Sequence, residues 1–177
     1  MGVYTNFETA IMQSLMAATA SVQPVVPPSV ANFPAVARNL SGFVGQARVA
    51  TAFGEVALES LRVGNDIRTF SCKLARVRKI DKVNLDDDVM SLCPNVHPIR
   101  ISANAFGPGR PMKDITVLPE QEIGVDAHVA THFKTANELC SQARARREKT
   151  TGHTYYRIRC DQIITARVEG VWVRVGL

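Results

Sequence analysis

From residue 47 onward, apolar and polar positions alternate in short runs cut by turn residues, the period expected of half-buried β-strands. Ala47–Thr69 sets the pattern, with extended segments at Arg48–Ala52 and Glu55–Leu58 joined by a turn at Phe53-Gly54. A polar run through Gly64-Asn65-Asp66 leads into a third segment, Ile67–Thr69. Further strands are predicted at Lys73–Val83 and Val89–Cys93, with an acidic turn, Asp86-Asp87-Asp88, between them. Strands are also predicted at His97–Ile101, Ala103–Phe106, Asp114–Leu118 and Glu122–Val125. Tyr155–Cys160 has strict two-residue periodicity, and Ile163–Val168 and Val171–Val175 make a closing hairpin around Glu169-Gly170. The fold class read from this pattern is all-β.

Two stretches break the pattern. Residues 4–20 read as a short helix: Thr5-Asn6-Phe7-Glu8 fits a capping box, and Phe7, Ile11 and Leu15 form a stripe widened by Met12 and Met16. The stripe packs on the domain or, as a second reading, docks a protein partner. Pro24, Pro27, Pro28 and Pro34 then make an extended linker, since proline fixes φ and removes a ladder donor. This divides the chain into residues 1–36 (helix and linker) and a β domain over residues 37–177. Residues 127–148 are the most helix-compatible part of that domain, and on a helix His128 and His132 would share a face.

Composition narrows the function classes. A content of 46% hydrophobic and 21% charged residues is that of an ordinary globular protein with ample apolar surface for a core. The net charge of +5 permits an acidic partner without requiring one. Most of the excess sits in Lys73–Lys82 and Arg144–Lys149, neither interleaved with aromatic residues, so nucleic acid is not the expected partner. Cys72, Cys93, Cys140 and Cys160 include no CxxC pair, and His128, His132 and Cys140 lack the ligand spacing of a metal site. No metal and no cofactor are expected. Consecutive side chains of an extended segment point to opposite faces, so the aspartates at 86–88 read as a solvated turn. The glycines of Gly107-Pro108-Gly109-Arg110-Pro111 open no helix and precede no Lys-Ser/Thr, so they do not form a phosphate-binding loop. No apolar run reaches the ~18 residues of a membrane span, and no basic residue precedes Arg38, so a cytoplasmic protein without a signal peptide is expected.

Three blocks together resemble a known family. VATAFGEVALESLRVGNDIRT, within residues 47–69, resembles the opening of bacterial Hint (hedgehog/intein) domains, a hydrophobic strand followed by T-x-x-G, L-x-x-G-D and V-x-T. Thr51, Gly54, Leu61, Gly64 and Thr69 match, and Asn65 stands where Asp is usual. HPIRISANAFGPGRPMKDITVLPEQEIGVD, residues 97–126, resembles the central block, and YYRIRCDQIITARVEGVWVRV, residues 155–175, the closing block. The resemblance implies a compact, pseudo-symmetric horseshoe of short strands.

The chemistry it implies is autoprocessing, as in protein splicing. A Cys or Ser at the first position of the domain attacks the preceding carbonyl, which requires the nucleophile to adjoin the scissile bond. A Thr/Ser-x-x-His motif polarises that bond, its His serving as general acid. The present sequence departs from the pattern at these positions. Alignment on Phe43 places Gly42 at the nucleophile, whereas alignment on Gly45 with one inserted residue places Ser41 there. Leu118 occupies the Thr/Ser position and Gln121 the His position; Gln donates a hydrogen bond but carries no proton near neutral pH. In the closing block Ile163 replaces a His while Asp161 is retained, and the chain ends Val-Gly-Leu rather than His-Asn. The resulting expectation is a degenerate Hint-like domain that has lost self-cleavage and serves as a binding or structural module. The alternatives are autoproteolysis through Ser41, and a basic β module holding an acidic partner at Arg144–Lys149.

Overall fold

The computed structural model describes residues 40–176, apart from 127–131, 143 and 150–151, with the side chains of residues 89 and 92 also left aside. The N-terminal helix, the proline-rich linker, the boundary near residue 36 and His128 all fall outside the described residues. The strands are β1 (Phe43–Val44), β2 (Arg48–Thr51), β3 (Gly54–Ala57), β4 (Asp66–Arg68), β5 (Leu74–Arg76), β6 (Lys79–Asn84) and β7 (Ile99–Ile101). They continue with β8 (Ile115–Val117), β9 (Glu122–Gly124), β10 (Phe133–Thr135), β11 (Ala145–Arg147), β12 (Thr154–Arg159), β13 (Ile164–Val168) and β14 (Val171–Val175). Two short α-helices, α1 (Asp87–Leu92) and α2 (Ala136–Ser141), complete the set, with single 3-10 turns at Leu58–Ser60 and Pro94–Val96. The domain is all-β in class.

The strands form two antiparallel sheets, one in the order β11-β7-β8-β1-β12-β6, the other β10-β9-β14-β13-β2-β4-β5 with β3 also paired to β2. The opening unit shows why these residues take this form. Val49 and Thr51 face inward and are buried, while Arg48 faces solvent. The turn needs a residue at φ 112°, supplied by Gly54. It is held by the Thr51 hydroxyl, which donates to the Gly54 carbonyl at 2.7 Å and accepts from the Phe53 amide at 3.2 Å. The closing hairpin follows the same logic. Ile164, Ala166 and Val168 face Val175, Val173 and Val171 across the pair, and all six are buried. The main core gathers these with Val49, Ile67, Ile99 and Val117. A smaller cluster joins Leu40, Leu85, Met90, Val96, Leu118 and Tyr155.

Four expectations from the pattern give way. The predicted strand Val89–Cys93 does not form: Val89–Leu92 belongs to α1, whose first turn carries Asp87 and Asp88, and Cys93 follows it. Carboxylates there complement the free amides of a helix N-terminus, so the acidic run starts a helix instead of making a turn. Lys73–Val83 is broken at Val77-Arg78 into β5 and β6, which belong to different sheets. Ala103–Phe106 forms turns, because the Ala103 amide bonds the Asp114 carboxylate (2.7 Å) and the Gly109 amide bonds the Asn104 side chain (2.6 Å) in place of a ladder. Of residues 127–148, only α2 is helical among those described. It starts at a full capping box between Thr135 and Glu138 and is flanked by β10 and β11. His132 lies just before β10, its Nδ1 2.6 Å from the Asp126 carboxylate.

Candidate functional site

β1 is only two residues long, yet it is held on both sides: Phe43 faces Val117 of β8 and Tyr156 of β12. The chain just before it continues the pairing. The Leu118 amide donates to the Gly42 carbonyl at 2.9 Å, and the Glu120 amide to the Leu40 carbonyl at 3.0 Å. Leu40–Gly42 is thereby clamped against Leu118–Glu120. On the other side, the Ala136 and Asn137 amides donate to the Gln121 and Pro119 carbonyls. The first turn of α2 thus anchors the segment that faces the β1 entry.

This arrangement brings Ser41 and Gln121 to the wall of one cavity of about 370 Å³, which Thr135, Arg157, Ile163 and Arg174 also line. Ser41 is partly exposed. Gly42 is buried at φ 151°, and a Cβ placed there would lie 3.1 Å from the Tyr156 carbonyl oxygen. The position therefore requires glycine on two counts, conformation and close backbone approach. Leu118 is fully buried in the smaller core cluster, so the residue at the family's Thr/Ser position serves packing.

Gln121 is 2% exposed. Its Nε2 donates to the Arg174 carbonyl at 2.9 Å and to the Glu122 carbonyl at 3.1 Å. A primary amide has two N–H donors, and here both are spent on backbone. Among the described residues no histidine lines the cavity. Ile163 does line it and is 57% exposed. Asp161 lies elsewhere, on the surface, with both carboxylate oxygens on Nε of Arg78 at 2.8 and 2.9 Å. The structure thus brings two of the three sequence-expected site residues, Ser41 and Gln121, to one cavity and leaves Asp161 outside it.

The cavity also contains charged residues that the sequence did not single out. Arg174 pairs with Glu122 at 3.2 Å and lies over the Phe133 ring, 4.2 Å from its centroid. Burial, with the neighbouring Arg159 adding, pulls the Arg157 guanidinium below its ordinary range. The Thr135 hydroxyl is occupied in the α2 capping box. These groups come from β9, β10, β12 and β14, so no local motif joins them.

Other candidates resolve into structural roles. His97 is buried with Nε2 2.8 Å from the Met90 carbonyl oxygen. In the Arg144–Lys149 stretch, Arg146 pairs with Glu148, and Arg147 donates to the carbonyls of Asn95 and His97 and to the Asn137 side chain. Two of its arginines are thus engaged within the domain. All four cysteines are free; burial pushes the Cys140 and Cys160 thiols up, away from the reactive thiolate. No group of three or more His, Cys, Asp or Glu among the described residues could hold a metal ion. No helix among them is long and apolar enough to cross a membrane.

Curled antiparallel sheets of short strands, with the domain entry clamped against the central block, define a Hint-type fold. The chain belongs to the Hint domain family, whose match covers residues 41–174. Solved structures agree on the fold. The bacterial intein-like domain from Clostridium thermocellum superposes with a TM-score of 0.55 at 15% identity, over 78% of this chain and 99% of that one. The MchDnaB-1 intein superposes with a TM-score of 0.50 at 10% identity, over 76% of this chain and 99% of that one. No curated protein sequence matches the chain.

Proposed function

We propose that this Hint domain no longer cleaves its own chain and works as a binding or structural module. The observation that carries the reading is the state of Gln121. Self-cleavage in this family calls for a proton donor at that position, aimed at the scissile bond. Both N–H groups of Gln121 are instead committed to the carbonyls of Glu122 and Arg174, and an amide has no proton to transfer near neutral pH. Loss of a general acid typically lowers a rate by ~10²–10⁴. With Leu118 buried at the partner position and Ile163 at the closing-block His position, three members that act together are replaced, and such losses leave little turnover.

One observation favours the second reading, an N-to-O acyl shift at Ser41. The carbonyl that Ser41 would attack is that of Leu40, and it accepts a hydrogen bond from the Glu120 amide at 3.0 Å. That amide would stabilise charge developing on the oxygen. The Ser41 oxygen would bond to the Leu40 carbonyl carbon, the Leu40–Ser41 amide would break, and the hydroxyl proton would pass to the freed amine.

Intact-mass spectrometry separates the two. Purified protein incubated with a thiol or hydroxylamine is expected to keep its 19.4 kDa mass. A fragment beginning at Ser41 or Gly42, absent from a Ser41→Ala variant, would overturn the proposal.

A further inference from the structure

A second cavity, of about 340 Å³, opens on the outer face of the other sheet and shares no lining residue with the Ser41 cavity. Register defines its walls. Residues directly opposite in an antiparallel pair share a face. Arg167 faces Trp172, Arg68 faces Leu74 and Ala50 faces Glu55. Their neighbours Val49, Ile67, Ala166 and Val173 are buried, so these residues point outward. The Phe70 amide donates to the Thr165 carbonyl at 2.8 Å, which carries Phe70 across to Trp172. The two rings meet edge to face, centroids 5.0 Å apart at 85°.

Arg68 and Arg167 flank this aromatic pair in the cavity wall. Several arginines of the domain have an acidic partner: Arg76 with Asp66, Arg78 with Asp161, Arg100 with Asp114, Arg159 with Asp81 and Arg174 with Glu122. Among the described residues, neither the Arg68 nor the Arg167 side chain has a hydrogen-bond or ion-pair partner, and Glu55 is the one carboxylate in the wall. Two free guanidinium forks beside exposed aromatic surface are the complement of carboxylates carried next to apolar side chains. We propose that this groove binds an acidic peptide segment of a partner protein, its carboxylates on Arg68 and Arg167 and an apolar side chain against Phe70 and Trp172. The edge-to-face contact, with one ring capping the face of the other, disfavours the open stacking platform that single-stranded nucleic acid uses. The proposal holds whether or not the chain cleaves itself, because the groove is separate from the β1 entry.

Trp172 is the only tryptophan, so its emission reports the groove directly. The test titrates the full chain, at low salt, with a Glu-Leu repeat peptide, its Lys-Leu counterpart and oligothymidylate. The acidic peptide is expected to give a saturable emission change that weakens with added salt. Arg68→Glu with Arg167→Glu should weaken binding about tenfold or more, while Arg144→Glu, of the same sign but remote from the groove, should leave it within about twofold. Both groove arginines are exposed, so the variants should fold, as an unchanged urea midpoint would verify. If the double variant does not fold, the single variants carry the same test. The proposal is overturned by no saturable response to the acidic peptide, by an equal response to the basic one, by tighter binding of oligothymidylate, or by unchanged affinity in the groove variants.

Discussion

Gln121→Met tests whether the residue at the family's histidine position is a structural clamp. Methionine matches the length of glutamine but has no N–H, so the Glu122 and Arg174 carbonyls both lose a donor. Each amide–carbonyl bond contributes a net ~1 kcal/mol, and a buried carbonyl left without a partner costs about 1–3 kcal/mol. Gln121 is 2% exposed, so water cannot easily replace the lost donor. The expected loss is about 2–3 kcal/mol. Equilibrium urea unfolding followed by Trp172 emission would show the midpoint falling by about 1 M, for a slope of about 2 kcal/mol/M. Gln121→His should fall between the wild type and Gln121→Met, because a neutral imidazole donates one hydrogen bond where the amide donates two. A loss below about 0.5 kcal/mol for Gln121→Met would refute the reasoning. It would mean that the amide is not committed to those carbonyls and is free to face the Leu40–Ser41 bond.

Three further substitutions probe the same region by urea unfolding. Gly42→Ala should destabilise by about 2–3 kcal/mol, since it forces a side chain into φ 151° and to 3.1 Å from the Tyr156 carbonyl oxygen. Thr135→Ala removes the α2 capping box and should cost about 1 kcal/mol. Tyr155→Phe deletes a buried hydroxyl that has no hydrogen-bond partner among the described residues, so stability at neutral pH should hold or rise by about 1 kcal/mol. Burial, with Glu148 adding, pushes the Tyr155 phenol from 10.0 up to about 12. The folded state therefore keeps a proton that the unfolded state loses, and stability should fall as pH rises from about 10 to about 12, by up to about 3 kcal/mol. Tyr155→Phe should flatten that alkaline slope, and an unchanged slope would show that the phenol is not buried.

Where each residue's role follows from alternation, the sequence was enough. Tyr155–Cys160 read correctly as a strand with Ile158 and Cys160 inward, although Tyr155, which alternation places with Arg157 and Arg159, is buried as well. The Glu169-Gly170 hairpin read correctly because its inward positions are apolar and Gly170 tolerates positive φ. Short apolar runs were ambiguous. Val89–Cys93 has no two-residue period, and the helical outcome depends on aspartates that also suit a turn. Ala103–Phe106 was misread because Asp114 and Asn104 supply side-chain bonds from outside the run. Family resemblance led to Ser41 and Gln121, which do share a cavity. It gave no sign that Asp161 would pair with Arg78 outside it. Arg157, Arg174 and Thr135 went unnoticed because three separate strands bring them together.

The geometry at the β1 entry separates scaffold from chemistry. The Leu118–Gly42 and Glu120–Leu40 hydrogen bonds extend the sheet that β1 completes, and Leu40 and Leu118 bury one another in the smaller core cluster. Those contacts stabilise the folded state whether or not a bond is ever cut at Ser41. Folding alone therefore retains the placement of a cleavable junction beside the central block, and that placement says nothing about turnover. Only side chains with no packing role can report on the reaction. At this entry Gln121 clamps two carbonyls, Leu118 fills core and Gly42 admits the Tyr156 carbonyl. Each of these three positions is thus occupied by a residue that the fold itself uses. Ser41 is the exception, partly exposed at the cavity wall, and it is there that Ser41→Ala separates a retired active site from a working one.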